Sequence, residues 1–472
     1  MTRAPLNPAD ESFAARLPEG VRRPLTPGYL EERRGFFRGR GGVLVAPRST
    51  EETARLVRLA AKARVGIVPY GGGTGLVGGQ VMPDGPLPMI LSLERMRAIR
   101  GLWPEENAMA VEAGAVLADI QAAAAEAGRL FPLSLGAEGS CRIGGNLATN
   151  AGGVNVLRYG NTRELCLGLE AVLPDGSIWN GMKRLRKDNT GYDLRGLMIG
   201  SEGTLGIITA AVLRLFPRPA REAAALISVE SPAAALALLA LTSARVGPGL
   251  TAFELISGQG LHFLEETGCP ARSPLRPVPG WAVLIDLGLG PEDDPEMALA
   301  ELFEAAEAAG LAHDGVIGTG AKRARLWQMR EQIPEANRRI GAISSHDISL
   351  PLSAIPDFLR AAPERVARLG RFRINAFGHL GDGNLHFNVF PTEGGARSDY
   401  PPGTSAELAT AIYDLVAEFD GSFSAEHGVG RLKAGDLVRY GDPAKLAAMG
   451  AIKAALDPQG IMNPGVMGLP DG

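Results

Sequence analysis

Pro69-Tyr70-Gly71-Gly72-Gly73-Thr74-Gly75-Leu76-Val77-Gly78-Gly79-Gln80-Val81-Met82-Pro83-Asp84-Gly85-Pro86-Leu87-Pro88 is the stretch that decides the fold. Within it, Gly73 to Gly78 matches G-x-G-x-x-G, follows a predicted strand at Gly66 to Tyr70, and has Glu94 near the offset of a ribose-binding acid. A Rossmann site needs a helix opening at that motif, so that its first N–H groups face the pyrophosphate. Residues 79–88 hold three prolines and two glycines and cannot supply one. The stretch therefore reads as a glycine loop between strands, whose backbone N–H groups cradle a diphosphate without a helix dipole. A nicotinamide site of the Rossmann kind is excluded.

On the N-terminal side, Ser49 or Thr50 with Glu52 and Thr53 opens a helical pattern through Leu56, Leu59, Ala60 and Ala63. On the other side, strands are predicted at Met89 to Leu93 and Ala108 to Glu112, then an alanine-rich helix from Leu117 to Ala127. A second glycine cluster, Gly136 to Gly153, reads as loop. Strands Cys166 to Leu173 and Ser177 to Trp179 flank the turn Pro174-Asp175-Gly176, and a third cluster spans Gly200 to Gly206 before a strand to about Phe216. Pro217 and Pro219 mark a boundary. From Glu222 the texture changes to strands alternating with longer helices: Ala224 to Val229, Pro232 to Val246, Trp281 to Leu287, Glu296 to Ala309 and Ala321 to Ile340.

The bulk properties bound the function. Lys+Arg 48 against Asp+Glu 52 leaves a net charge of -4 over 472 residues, with no basic excess for a nucleic acid. The 62 glycines, about 13%, exceed the usual ~7% and fall in clusters where backbone must come close to something. Cys141, Cys166 and Cys269 form no C-x-x-C pair, which argues against a disulfide scaffold, a thiolate zinc site and an iron–sulfur cluster, and for a reducing compartment. Met1 to Arg40 has no apolar run of the signal-peptide kind, so a cytoplasmic location is expected. The longest uncharged stretch, Val65 to Pro83, carries seven glycines and two prolines, and no membrane span is expected.

His379-Leu380-Gly381-Asp382-Gly383-Asn384-Leu385-His386 is the second informative stretch. Asp-Gly is a strong two-residue hairpin signal. A turn centred on Asp382 and Gly383 predicts that His379 and His386 stand directly opposite, Cβ atoms ~5 Å apart, with Asn388 on the same face. Two imidazoles so placed suit one divalent metal ion; a hydrogen-bonded core pair is the competing reading. A third ligand must come from elsewhere, and the adjacent acid and base of Glu426-His427-Gly428-Val429-Gly430 are the best candidates. Two histidines and a carboxylate leave coordination positions open, as a catalytic site requires. His262, His313 and His346 show no partner pattern. Arg330, in Leu326-Trp327-Gln328-Met329-Arg330-Glu331, reads from periodicity alone as part of a solvated helix face.

Pro69 to Leu76, Gly144-Gly145-Asn146 with Asn150-Ala151-Gly152-Gly153, Lys187-Asp188-Asn189-Thr190-Gly191-Tyr192-Asp193-Leu194 and Gly200 to Gly206 together resemble, in that order, the FAD-binding domain of the vanillyl-alcohol oxidase flavoprotein superfamily. The remainder, including Asn463-Pro464-Gly465, resembles its D-2-hydroxyacid dehydrogenase branch. The resemblance covers essentially the whole chain and implies an α+β fold: a two-part FAD-binding domain plus an α+β substrate, or cap, domain with an antiparallel sheet. The expected division is 1–217 for the FAD-binding domain, 218–425 for the substrate domain, and 426–472 returning to the FAD-binding domain. It implies that Gly71, Gly72, Gly73, Thr74, Gly75, Gly144, Gly145 and Asn146 wrap the FAD diphosphate, that Gly203 and Ile207 lie by the adenine and ribose, and that Asn463 joins them. Some relatives link the flavin to a histidine near the first loop. Tyr70 stands there and all six histidines lie at 262 or later, so the FAD is expected to be noncovalent.

The branch shares the H-x-x-x-x-x-x-H and E-H patterns, which implies a metal, zinc, on His379, His386 and Glu426, and an arginine at the place of Arg330 that clamps the substrate carboxylate with its fork. The expected reaction is oxidation of a small D-2-hydroxy acid to the 2-oxo acid. The metal would acidify the 2-hydroxyl, His427 would take its proton, and Arg330 and Asn388 would hold the carboxylate end. The electron acceptor is expected to be an electron-transfer flavoprotein or a quinone; a homodimer is compatible with this reading and not required by it. Two departures bear on the substrate: Ser345 stands where the 2-hydroxyglutarate members carry a basic residue, and Pro334 where they carry a threonine. The distal carboxylate so lacks two donors, for which His346 or Arg323 are the possible replacements. The overall resemblance favours D-2-hydroxyglutarate over D-lactate or glycolate. An FAD-dependent alcohol oxidase using oxygen, and a noncatalytic metal-binding protein, are the other readings.

Overall fold

The computed structural model describes residues 4–468, so the ends of the expected first and last segments, 1–3 and 469–472, lie outside the described residues. The chain forms two units: one of Met1–Gly153, Tyr159–Arg218 and Glu426–Gly472, the other of Val154–Arg158 and Pro219–Ala425. The architecture is α+β throughout. Among the described residues no helix is long and apolar enough to cross a membrane.

In the first unit the helix Thr50–Ala63 begins where Ser49 Oγ accepts the Glu52 N–H at 3.2 Å, a cap worth about 1 kcal/mol. Ala54, Val57 and Ala60, one turn apart, are fully buried, and Arg64 ends the helix in a left-handed conformation. The helix carries the chain from strand Val43–Val45 to strand Ile67–Tyr70, and both pair in parallel with Met89–Ser92, which lies between them. The glycine-rich connection between Ile67–Tyr70 and Met89–Ser92 contains no helix. A second, antiparallel sheet runs Ile99–Trp103, Ala108–Glu112, Ile207–Arg214, Cys166–Val172, Ile178–Gly181. The C-terminal segment returns to this unit, where Met462 bridges Ile67 and is buried with Ile461 in the core.

The second glycine cluster is not wholly loop. Ile143–Thr149 is a short helix, because Ile143 and Leu147, four apart, are both buried, and Gly144 lets the turn approach Ala113, whose Cβ would stand 2.7 Å from a Cβ added at Gly144.

The second unit is built on a seven-stranded antiparallel sheet in the order Asp314–Thr319, Arg221–Val229, Trp281–Leu289, Leu250–Ser257, Arg373–His379, Asn384–Phe390, Ser344–Ser349. Helices Gly258–Glu266 and Gly320–Ile340 bury Leu261, Phe263, Leu326, Met329 and Ile333 with Leu226, Ile256, Leu284 and Phe377 on one face. On the other face, Phe358 of helix Ile355–Ala367 meets Phe387 edge to face at 5.5 Å, and Tyr413 of helix Thr404–Glu418 meets His346 at 5.2 Å.

Candidate active site

In the first unit, one pocket is lined by Gly71, Gly72, Gly73, Thr74 and Gly75 from the loop after Ile67–Tyr70, by Gly144, Gly145 and Asn146 from the short helix, by Gly203 and Ile207, and by Asn463 from the C-terminal segment. Backbone meets backbone here. A Cβ on Gly72 would stand 2.4 Å from the Ser140 carbonyl oxygen, whereas one on Gly145 would meet nothing closer than the Gly71 Cα at 4.0 Å, so the space beside Gly145 is open to a ligand. Arg142, also in the lining, brings a positive charge suited to a diphosphate. The side-chain oxygens of Asn146 and Asn463 are buried and bond to no described residue. A flavin nucleotide, with hydroxyl and N–H donors along its length, would satisfy them, and the lining fits FAD.

His427 lines the same pocket, in bent, non-helical backbone just after Glu426, which opens the returning C-terminal segment; both are partly buried. Glu202 fixes the chain that follows. Its Oε1 accepts the Val429 N–H and its Oε2 the Gly430 N–H, each at 2.8 Å. Asn463 Nδ2 donates to the Glu202 carbonyl at 2.8 Å and to the Gly79 carbonyl at 2.9 Å, so three stretches far apart in sequence are tied together. Burial pushes the Glu202 carboxyl up, against the two N–H bonds and the Lys433 charge that pull it down. Sequence reasoning gave Glu202 no role; a lone acid inside a glycine cluster was the available signal.

In the second unit, His379 and His386 come together with ring centroids 5.6 Å apart and planes at 81°. The predicted register is corrected. The cross-strand partner of His386 is Phe377, and the partner of His379 is Glu254 on the neighbouring strand. The turn is longer than two residues, with a 3-10 turn at Leu380–Asp382 and Gly383 at φ 84°. The slip is by two, an even number, which keeps both histidines on one face.

Glu254 is the residue the sequence reading missed. It stands in Leu250–Ser257, where every residue is buried, and is itself 1% exposed. Its Oε1 is 2.5 Å from His379 Nδ1 and its Oε2 accepts from Arg330 Nε at 2.7 Å. Burial acts to raise the Glu254 carboxyl, but the His379 and Arg330 charges and their hydrogen bonds outweigh it and hold the group at about 2. A single charged residue within an apolar strand run was the signal for it.

Arg330 is therefore not on a solvated face: it is 6% exposed, with its guanidinium carbon 4.9 Å from the Phe377 ring centroid. Its terminal amino groups bond to no described residue. Asn388 is buried on the same strand as His386 and donates to the His386 carbonyl at 3.3 Å. Asp347, opposite His386, has Oδ1 3.8 Å from His386 Nδ1 and accepts from Asn384 Nδ2 at 2.9 Å. Neither proposed replacement for a distal-carboxylate donor stands ready. Arg323 makes a two-pronged pair with the buried Asp286, at 2.7 and 2.8 Å, and His346 points to the opposite face of the sheet.

Residues 42–181 match the family model of the FAD binding domain, and residues 218–467 that of the FAD linked oxidases, C-terminal domain. The mitochondrial D-2-hydroxyglutarate dehydrogenase of Bos taurus is 38% identical over 429 residues, 90% of this chain and 77% of that protein. The D-2-hydroxyglutarate dehydrogenase of Xanthomonas citri pv. viticola is 37% identical over 424 residues, 89% of this chain and 88% of that one. A solved alkyldihydroxyacetonephosphate synthase, 17% identical, shares the fold with a TM-score of 0.72 over 98% of this chain and 86% of that one. Fold and pocket thus define a flavoprotein built from an FAD binding domain and the C-terminal domain of the FAD linked oxidases. The chain belongs to the FAD-linked oxidase family, among its FAD-dependent D-2-hydroxyacid dehydrogenases.

Proposed function

We propose that this enzyme oxidises D-2-hydroxyglutarate to the 2-oxo acid with a divalent metal, zinc, held by His379, His386 and Glu426. The observation that carries the reading is the pairing of His379 with His386 on one sheet face, with Glu254 bonded to both His379 and Arg330. Such a carboxylate orients a ligating histidine by fixing its proton on Nδ1, leaving Nε2 as the ligand atom. FAD, bound noncovalently by the glycine pocket, supplies the hydride acceptor. The metal supplies Lewis acidity at the 2-hydroxyl. His427 takes the hydroxyl proton, a task for which an imidazole is suited near neutral pH. Arg330 binds the 1-carboxylate through its terminal amino groups, and Asn388 holds the same end of the substrate.

A second reading, a shorter acid such as D-lactate, is favoured by one observation: Arg323 is committed to Asp286 and Pro334 offers no donor, so the distal carboxylate lacks its expected partners. Anaerobic bleaching of the flavin across D- and L-2-hydroxyglutarate, D- and L-lactate and glycolate separates the two. Fastest bleaching by D-2-hydroxyglutarate supports the main reading; fastest bleaching by D-lactate supports the second; no response to any D-acid removes both. Acid precipitation tests the noncovalent link, since the yellow colour should leave with the supernatant.

An electron-transfer flavoprotein or a quinone accepts the electrons, and the three cysteines, all free and buried, suit a reducing compartment such as the cytoplasm. The Bos taurus relative is named as mitochondrial, and cell fractionation decides between the two locations.

A further inference from the structure

A carboxylate in the middle of a buried strand is costly unless both oxygens find charged or donating partners. Leu250–Ser257 is such a strand, and an aliphatic residue at 254 would suit its burial. Glu254 instead divides its two oxygens between groups from different elements. One goes to His379, its direct partner on the adjacent strand, and the other to Arg330, on the helix Gly320–Ile340 that packs over that face. Both distances, 2.5 and 2.7 Å, are those of charge-assisted bonds.

We propose that Glu254 is a positioning residue that sets the metal-ligating His379 and the carboxylate-binding Arg330 at a fixed spacing. The inference rests on the metal-assisted reading above and adds a residue to it. In a 2-hydroxy acid the hydroxyl and the carboxylate sit on adjacent carbons, so the two groups that receive them must keep one separation. Two receivers hung from one buried carboxylate do so without relying on the longer path through the fold.

The two bonds also select atoms. A carboxylate on His379 Nδ1 holds the proton there, so that Nε2 keeps its lone pair for an ion. A carboxylate on Arg330 Nε leaves the edge formed by the two terminal amino groups for a second, bidentate carboxylate. Glutamine at 254 cannot reproduce this, because its one oxygen can accept from only one of the two N–H donors, and its amide would face the other.

The test uses the FAD-loaded protein and zinc itself. Zinc affinity is measured by competition with a chromogenic chelator for wild type, Glu254→Gln and Glu254→Asp, alongside thermal unfolding and, at saturating zinc, kcat and KM with an artificial acceptor dye. Glu254→Gln should lose about 10- to 100-fold in zinc affinity. At saturating zinc its kcat should fall while KM does not rise, since Arg330 keeps its charge and loses the partner that neutralised it. Glu254→Asp keeps the charge but lacks the reach to span both groups, and should not recover zinc affinity. It also carries the test if Glu254→Gln fails to retain FAD.

If Glu254→Gln binds zinc like wild type with unchanged kcat and only a lower melting temperature, Glu254 merely neutralises a buried charge and the proposal is overturned. Full recovery in Glu254→Asp overturns it likewise, because charge alone would then suffice. A wild-type protein that takes up no divalent ion is a different failure: it removes the metal reading itself, and this inference with it.

Discussion

The pocket of the first unit is lined largely by backbone, the polar face of the second unit's sheet by side chains. In the pocket, glycines from three short runs present N–H groups and empty space. On the sheet, Glu254, Arg330, Asp347, His379 and His386 come from four strands and a helix, and each bonds or faces another. A backbone site tolerates change in any side chain that does not intrude, and fails when a Cβ is added. A side-chain site fails when one member is removed, because its partners are then left buried and unsatisfied.

The largest expected effect follows from removing one member of the side-chain site. His386→Ala should lose the bound metal and, with it, several kcal/mol of transition-state stabilisation, a loss of ~10³-fold or more in turnover. FAD should remain bound, since His386 is not among the residues that line the glycine pocket. Chelation of the wild-type protein should give the same result. Full activity after metal stripping would show that the two histidines are a core pair and nothing more.

Next come the adjacent residues Glu426 and His427. The backbone here is bent and leaves the ligand atoms of the two within 4.8 Å of each other, so the proposal that one ligates and the other acts on substrate has to be tested residue by residue. His427 lines the glycine pocket, and the proposed reaction gives it the proton. His427→Ala should keep metal and FAD and lose ~10²- to 10⁴-fold in kcat. Glu426→Ala should come out metal-free. The opposite pattern of metal contents would reverse the two roles.

The two regions also differ in how far the sequence discloses them. The prolines at 83, 86 and 88 excluded the helix that a Rossmann site needs and left Gly71 to Gly75 as a cradling loop, whereas Gly144 to Asn146 were placed beside it only through the family resemblance, and all of them line the pocket. The hairpin histidines were legible by face but not by register. An Asp-Gly pair suggested a two-residue turn, whereas the chain spends Leu380 to Gly383 on it, and only the evenness of the slip preserved the shared face. Glu254 was illegible for a different reason. Its meaning depends on His379, 125 positions further along the chain, and on Arg330, 76 positions further along, and no local period links them. Arg330 shows the converse, since helical periodicity alone placed it in solvent and a distant strand buried it.

A smaller effect tests whether the glycine pocket is a cradle or merely tight packing. At Gly72 an added Cβ clashes with the protein's own backbone, so loss of FAD in Gly72→Ala would not discriminate. At Gly145 the nearest atom would be 4.0 Å away, and the residue sits inside the helix Ile143–Thr149, where alanine is favoured over glycine by about 1 kcal/mol. Gly145→Ala should therefore unfold at an equal or higher temperature as apoprotein while binding FAD about 5- to 100-fold more weakly, the cost of crowding a close contact. Unchanged FAD affinity, measured by fluorescence titration of apoprotein, would mean that the cofactor does not approach the chain at Gly145.

The smallest effect concerns a side chain that does contribute to the pocket. Glu202 is 7% exposed and burial raises its pKa above the ordinary 4.5, although Val429 and Gly430 each donate an N–H to it. A carboxyl raised in the folded state binds its proton more tightly there than in the unfolded chain. Its contribution to stability is then greatest below about pH 4.5 and declines as pH rises through the raised value, because the buried group must ionise. Glu202→Gln removes that titration but turns an amide N–H towards one of the two backbone donors, leaving a buried N–H unsatisfied at a cost of ~1–3 kcal/mol. The variant should be less stable than wild type at every pH, with the gap narrowing from pH 4.5 upward. Thermal unfolding of the FAD-loaded proteins between pH 4.5 and 8 reads the difference directly. A gap that widens with rising pH would mean that ionised Glu202 stabilises the fold, and that the two N–H bonds and Lys433 outweigh burial after all.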